Sequence, residues 1–146
     1  MVHDYSVPLT KLVKEFQLDV IYPATDYDAI RLTVEDVARP GLQLAGYFDH
    51  FEPMRLQVMG NVEISYLEKL EEQGRLAAYD RLFSYKIPAL LLARGFAPGQ
   101  DCLQMAKKHN IQSVILIYSA SDTQAADILT LKKKPKKLKR NLKPRK

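Results

Sequence analysis

Ile87-Pro88-Ala89-Leu90-Leu91-Leu92-Ala93 is an almost continuous apolar run, and a run of this kind marks a strand covered on both faces. Such a strand needs helices above and below it, so this stretch decides for an α/β arrangement. Downstream of it, residues 98–109 suit a helix and residues 113–118 a further buried strand. Upstream, residues 75–83 read as a helix, and Gly74 breaks or caps the one before. That earlier helix takes Asn61 as its N-cap, Glu63 in its acidic first turn, and Ile64, Leu67 and Leu70 on its buried face. Residues 55–59 alternate polar and apolar over most of their length, as a half-buried strand does. Nearer the start, Leu9, Leu12, Val13 and Phe16 are spaced as on a helix over Leu9–Phe16, residues 18–22 read as a strand ended by Pro23, and residues 29–32 as a weaker strand. Residues 37–41 read as a loop whose Pro40 sits in the first turn of a short helix running to Gly46. Strands and helices alternate throughout. The expected fold is a single α/β domain with a mixed, partly parallel sheet flanked by helices.

Composition agrees with one domain. The chain has 146 residues, 47% hydrophobic and 27% charged, enough for one core but not for a multidomain enzyme. No stretch approaches the roughly 18 apolar residues of a membrane helix, and the N-terminus lacks a signal-peptide layout. With a single cysteine, Cys102, no internal disulfide forms, and a reducing cytoplasm is the expected location. Charge divides the chain. Residues 132–146 hold ten of the 22 basic side chains and no acidic one, leaving 12 basic against 17 acidic residues in the rest, a net of −5. The expected organisation is a domain over residues 1–118 and a divergent basic tail over 119–146, disordered and attracting nucleic acid only without sequence preference.

The motifs of catalysis are missing from the sequence. Residues 93–99 carry no phosphate-loop lysine, and there is neither a G-x-S-x-G elbow nor H-E-x-x-H. His3, His50 and His109 have no second ligand at metal spacing, and Cys102 reads as a small buried hydrophobe. One segment stands apart: Asp36-Val37-Ala38-Arg39-Pro40-Gly41-Leu42-Gln43-Leu44-Ala45-Gly46-Tyr47-Phe48-Asp49-His50-Phe51. Arg39 and Gly41, beside a helix N-terminus, are placed to hold an anion; the competing reading is an Asp36–Arg39 pair that fastens the loop.

This segment resembles the signature of the N-terminal domain of bacterial HPr kinase/phosphorylase. The similarity continues through Arg55-Leu56-Gln57-Val58-Met59-Gly60, Glu63-Ile64-Ser65-Tyr66-Leu67 and Pro88-Ala89-Leu90-Leu91-Leu92-Ala93-Arg94-Gly95, and covers about residues 5–111. Its motif residues here are Asp36, Arg39, Pro40, Gly41, Leu44, Gly46, Tyr47, Phe48, Gln57, Gly60, Arg94 and Gly95. The resemblance implies an α/β domain similar to the N-terminal domain of Mur ligases. It also implies a role in controlling carbon catabolite repression, and a homo-oligomer. ATP, Mg²⁺ and the partner HPr belong to the family's C-terminal kinase domain, whose motifs this chain lacks; no catalytic residue, cofactor or metal site is expected here. After Ile111 the family's Ile-Pro-Val gives way to Ile111-Gln112-Ser113, as loss of one base from ATC-CCA-GTC would produce. The expected function is a non-catalytic regulatory or oligomerisation domain, the alternative being a standalone module that senses an anionic metabolite or nucleotide-sugar at Arg39.

Overall fold

The structure, a computed structural model, describes residues 6–23, 25–93 and 97–109 and the backbone of a strand at 114–117. His3, Arg94, Gly95, the junction at 111–113 and the basic tail lie outside the described residues.

Among the described residues, seven strands and five α-helices form the expected α/β arrangement. In chain order they are β1 (Val7–Pro8), α1 (Leu9–Phe16), β2 (Asp19–Tyr22), β3 (Arg31–Leu32), β4 (Val37–Ala38), α2 (Gly41–Leu44), β5 (Leu56–Met59), α3 (Asn61–Glu68), α4 (Glu72–Phe83), β6 (Ala89–Leu92), α5 (Gln100–Lys108) and β7 (Val114–Ile117). One sheet runs β2-β7-β6-β5-β4. Strands β4 to β7 are parallel, and β2 closes the far edge antiparallel to β7. β1 and β3 form a separate two-stranded antiparallel ribbon.

The period-two alternation of the central strands builds a core on each face of this sheet. Leu56, Val58, Ala89 and Leu91 face α1 and the ribbon, packing with Leu9, Leu12, Phe16 and Leu32. Met59, Leu90 and Leu92 face the opposite way, against Leu44, Leu67, Leu82, Phe83 and Met105 of α2 to α5. Each fully buried side chain of this size contributes roughly 1.5–3 kcal/mol of transfer free energy.

Several local expectations change in the structure. β5 is buried along its whole length rather than half-buried, because helices cover both faces of the strand. Its polar member, Gln57, survives there by donating from Nε2 to the carbonyls of Arg55 (2.9 Å) and Glu52 (3.5 Å). Val37 and Ala38, read as loop, form the edge strand β4, paired to Leu56 and Gln57. Gly74 neither breaks nor caps a helix: it lies in the first turn of α4, where a Cβ would come within 3.3 Å of Leu70 Cβ. The N-cap of α3 is Gly60 rather than Asn61. α2 stops at Leu44, and Gly46 follows it at φ +106. The Gly46 amide donates to Gln43 and the Tyr47 amide to Leu42, a C-terminal closure that the left-handed glycine permits.

Candidate functional site

The motif segment crosses the carboxyl edge of the parallel strands just after β4, and open α/β sheets usually do their chemistry at that edge. β4 delivers Arg39 to this edge, and β5 delivers Gly60, from which α3 starts. Glu63, on the first turn of α3, is only 4% exposed and pairs with Arg39. The contact is a two-pronged fork: Arg39 Nε donates to Glu63 Oε2 at 3.1 Å, and Nη2 donates to Oε1 at 2.8 Å. The Gly60 amide donates to the same Oε1 at 2.8 Å, so one carboxylate satisfies a guanidinium and an orphan donor at the helix start. Burial pushes the Glu63 carboxyl up. The hydrogen bonds from Arg39 and Gly60 outweigh it and hold the group below the usual carboxylate range.

Gly60 owes its identity to this fork. A Cβ at position 60 would lie 3.1 Å from Arg39 Nη2, crowding the guanidinium. Pro40 is buried and its carbonyl accepts from the Leu44 amide, opening α2. Leu44 is fully buried, and its carbonyl accepts from Arg81 Nη2 of α4 at 3.1 Å. Arg39 therefore pairs with Glu63, not with Asp36, which is exposed. Gly41 packs beside the fork, 3.9 Å from Glu63 Oε2 as measured from the Cβ it would carry. Tyr47 is 46% exposed, while Phe48 stacks on Tyr85 at a centroid distance of 4.6 Å with Phe51 set edge-on to both. Glu63, quoted within a motif and assigned to an acidic first turn, is the partner that sequence reasoning missed. The available signal was a Glu three residues after a helix start, the carboxylate half of a capping box.

Asp80 and Cys102 are also held within the fold. Asp80 Oδ1 takes both Lys108 Nζ (3.1 Å) and His109 Nε2 (2.7 Å), tying the end of α5 to α4. The Cys102 thiol is fully buried beside Tyr79, and burial, with Asp101 adding to it, pushes it up to about 12. A thiol held that high is not a nucleophile near neutral pH. Ellman's reagent at pH 8 is expected to modify Cys102 only at the rate of global unfolding, with full reaction in denaturant. Rapid labelling of the native chain would contradict its burial. Among the described residues no group of three His, Cys, Asp or Glu side chains is gathered to hold a metal, and no helix is long and apolar enough to cross a membrane.

These features define an α/β domain whose signature residues shape the carboxyl edge of its own sheet. The family model described as HPr Serine kinase N terminus matches residues 7–131, running on past Ile111, and the chain belongs to this family. Its curated relatives include the HPr kinase/phosphorylase of Peptoclostridium acidaminophilum, 42% identical over 112 residues, which make up 75% of this chain and 35% of that protein. The Lachnoclostridium phytofermentans enzyme is 37% identical over 107 residues, 73% of this chain and 35% of that one. The chain thus spans about a third of the length of these relatives. Among solved structures, the CBS and DRTGG domains of the regulatory region of Clostridium perfringens pyrophosphatase, complexed with the activator diadenosine tetraphosphate, superpose with a TM-score of 0.57. They do so at 13% identity, over 86% of this chain and 46% of that one. At that identity the likeness concerns the fold.

Proposed function

We propose that this chain is a non-catalytic, regulatory or oligomerisation domain of an HPr kinase/phosphorylase, the family that controls carbon catabolite repression by phosphorylating and dephosphorylating HPr. The observation that carries this reading is the family match over residues 7–131 in a chain covering only about a third of its curated relatives. The site supports it in chemical terms. Phosphoryl transfer needs a cradle for the nucleotide phosphates, Mg²⁺ ligands and a base for the attacking hydroxyl. Here the best-placed cation, Arg39, turns its fork to an internal carboxylate, and the buried thiol is inert. In this proposal ATP, Mg²⁺ and HPr are handled by the remaining two-thirds of the family enzyme, and this domain contributes self-association in the cytoplasm. A regulatory role is in keeping with the fold it shares with part of a pyrophosphatase's regulatory region, an analogy of architecture alone.

The test is phosphoryl transfer by the purified 146-residue chain supplied with labelled ATP, Mg²⁺ and HPr. No label above a protein-free blank is expected on HPr. Transfer that scales with the amount of chain would overturn the proposal.

A further inference from the structure

The outer side of α2 carries an apolar face that the rest of the fold leaves uncovered. Residues 40–48 run without a charged side chain in a chain that is 27% charged. Leu44 turns into the core, while Leu42, on the other side of the same turn, is 63% exposed. The Tyr47 amide donates to the Leu42 carbonyl at 2.9 Å, turning the chain back over the end of α2. Phe48, next in the chain, stacks on Tyr85, which is 44% exposed. These contacts link Leu42, Tyr47, Phe48 and Tyr85 into one patch. Its three exposed side chains present about 300 Å², the size at which an uncovered patch is often functional.

Charge decides what covers it. Arg81, exposed on α4, borders the patch: its Nη2 donates to the Leu44 carbonyl at 3.1 Å and lies 4.0 Å from the Cβ that Gly46 would carry. Asp49, exposed, follows Phe48 on the rim. Among the described residues neither takes part in an ion pair. One unpaired cation and one unpaired anion beside an apolar centre make a self-complementary pattern, because a two-fold axis sets Arg81 of each copy opposite Asp49 of the other. Outside residues 132–146 the chain has a net charge of −5. Two copies therefore repel over most of their surface, and this uncharged face is where they meet without that cost. The contact buries roughly 600 Å² from these side chains, to which Phe48 and the rim add. That is the low end of specific interfaces and fits a weak, concentration-dependent dimer.

We propose that this face, with Leu42, Tyr47 and Tyr85 at its centre and Arg81 and Asp49 at its rim, pairs two copies of the chain about a two-fold axis. The inference rests on the self-association proposed above and names the surface that carries it.

Sedimentation velocity of the full 146-residue chain, from about 10 µM to about 1 mM, is expected to show the mass rising from one copy towards two. The Leu42→Gln, Tyr47→Gln double variant, altered only at exposed side chains, is expected to weaken dimerisation about tenfold. Asp49→Lys, which sets like charges opposite each other, is expected to weaken it several-fold. Ile21→Gln, exposed on β2 at the far edge of the sheet, is expected to leave it unchanged. Association is expected to persist at about 1 M salt, where charges are screened beyond roughly 3 Å. A single copy throughout the range would overturn both the surface and the self-association. A dimer that the double variant or Asp49→Lys leaves intact, that Ile21→Gln weakens equally, or that high salt dissolves would overturn the surface and leave self-association standing.

Discussion

Arg39→Ala is expected to lower the stability of the domain by about 2–3 kcal/mol, although Arg39 is 45% exposed at its side chain. The reason lies with its partner. Removing the guanidinium leaves the Glu63 carboxylate, 4% exposed, with only backbone amides, those of Gly60 and of Glu63 itself, as donors. Stranding a buried charge costs about 3–5 kcal/mol where water is excluded; here water can enter the vacated space, and the lower figure applies. Glu63→Gln keeps the shape and one acceptor oxygen, so its loss is expected to be about half as large. The pH dependence follows from the depressed Glu63 carboxyl. A group whose pKa falls on folding contributes stability above its unfolded pKa and loses that contribution as pH drops through the folded value. The gap between wild type and Arg39→Ala is therefore expected to be full near pH 7 and to shrink steadily below about pH 4.5. Urea unfolding monitored by circular dichroism, with an unchanged slope, measures both quantities. A variant within about 0.5 kcal/mol of wild type at pH 7, the usual span of surface substitutions, would show that the fork does not hold the sheet edge.

Phe83→Ala carries the larger expected loss, about 3–5 kcal/mol. Phe83 is fully buried at the end of α4, packs among Leu82, Ile87, Leu90 and Met105, and lies 5.8 Å, centroid to centroid, from the Tyr79 ring. Truncation removes the ring's transfer free energy and leaves a hole that a close-packed interior cannot fully collapse. Domains of this size are stable by roughly 5–15 kcal/mol, so the variant is expected to lose a large share of its cooperative transition at 37 °C. Phe83→Leu, which refills most of the volume, is expected to cost about 1–1.5 kcal/mol. Val62→Ala, at a side chain 70% exposed, serves as the neutral control, within about 0.5 kcal/mol of wild type. A loss under about 1.5 kcal/mol for Phe83→Ala would mean that α4 does not seal this face of the sheet.

How much of this was legible depended on the range of the interaction. The amphipathic spacing over Leu9–Phe16 yields a helix with those bounds, and Leu9, Leu12 and Phe16 are its buried residues. The apolar run at 87–93 becomes β6, shortened to Ala89–Leu92 and buried at every position. The helix expected over 98–109 is found at Gln100–Lys108, with only its frayed ends removed. β4 was missed because two residues carry no periodicity; it is a strand only through its pairing with β5. The alternation at 55–59 was present but misleading, since Gln57 is polar by composition and buried by position. Its amide finds its partners in the loop carbonyls just before the strand.

The candidate site divides in the same way. A rigid Pro-Gly corner after Arg39, a glycine closing the short helix near Gly46 and an acid in the first turn of α3 are all local signals, written within four residues of where they act. The fork is not local. Arg39 and Glu63 are 24 residues apart, and Asp36, three residues away, was the nearer acid by sequence. The parallel pairing of β4 with β5 settles the contest by setting the end of β4 beside the start of α3. Likewise, nothing in the sequence marks Phe48 and Tyr85 as neighbours; the packing of α2 against α4 brings the two rings together. Element type follows from short-range sterics and hydrophobic period, which each segment carries within itself. Charge partners follow from which strand lies next to which, and that is decided only when the whole core packs.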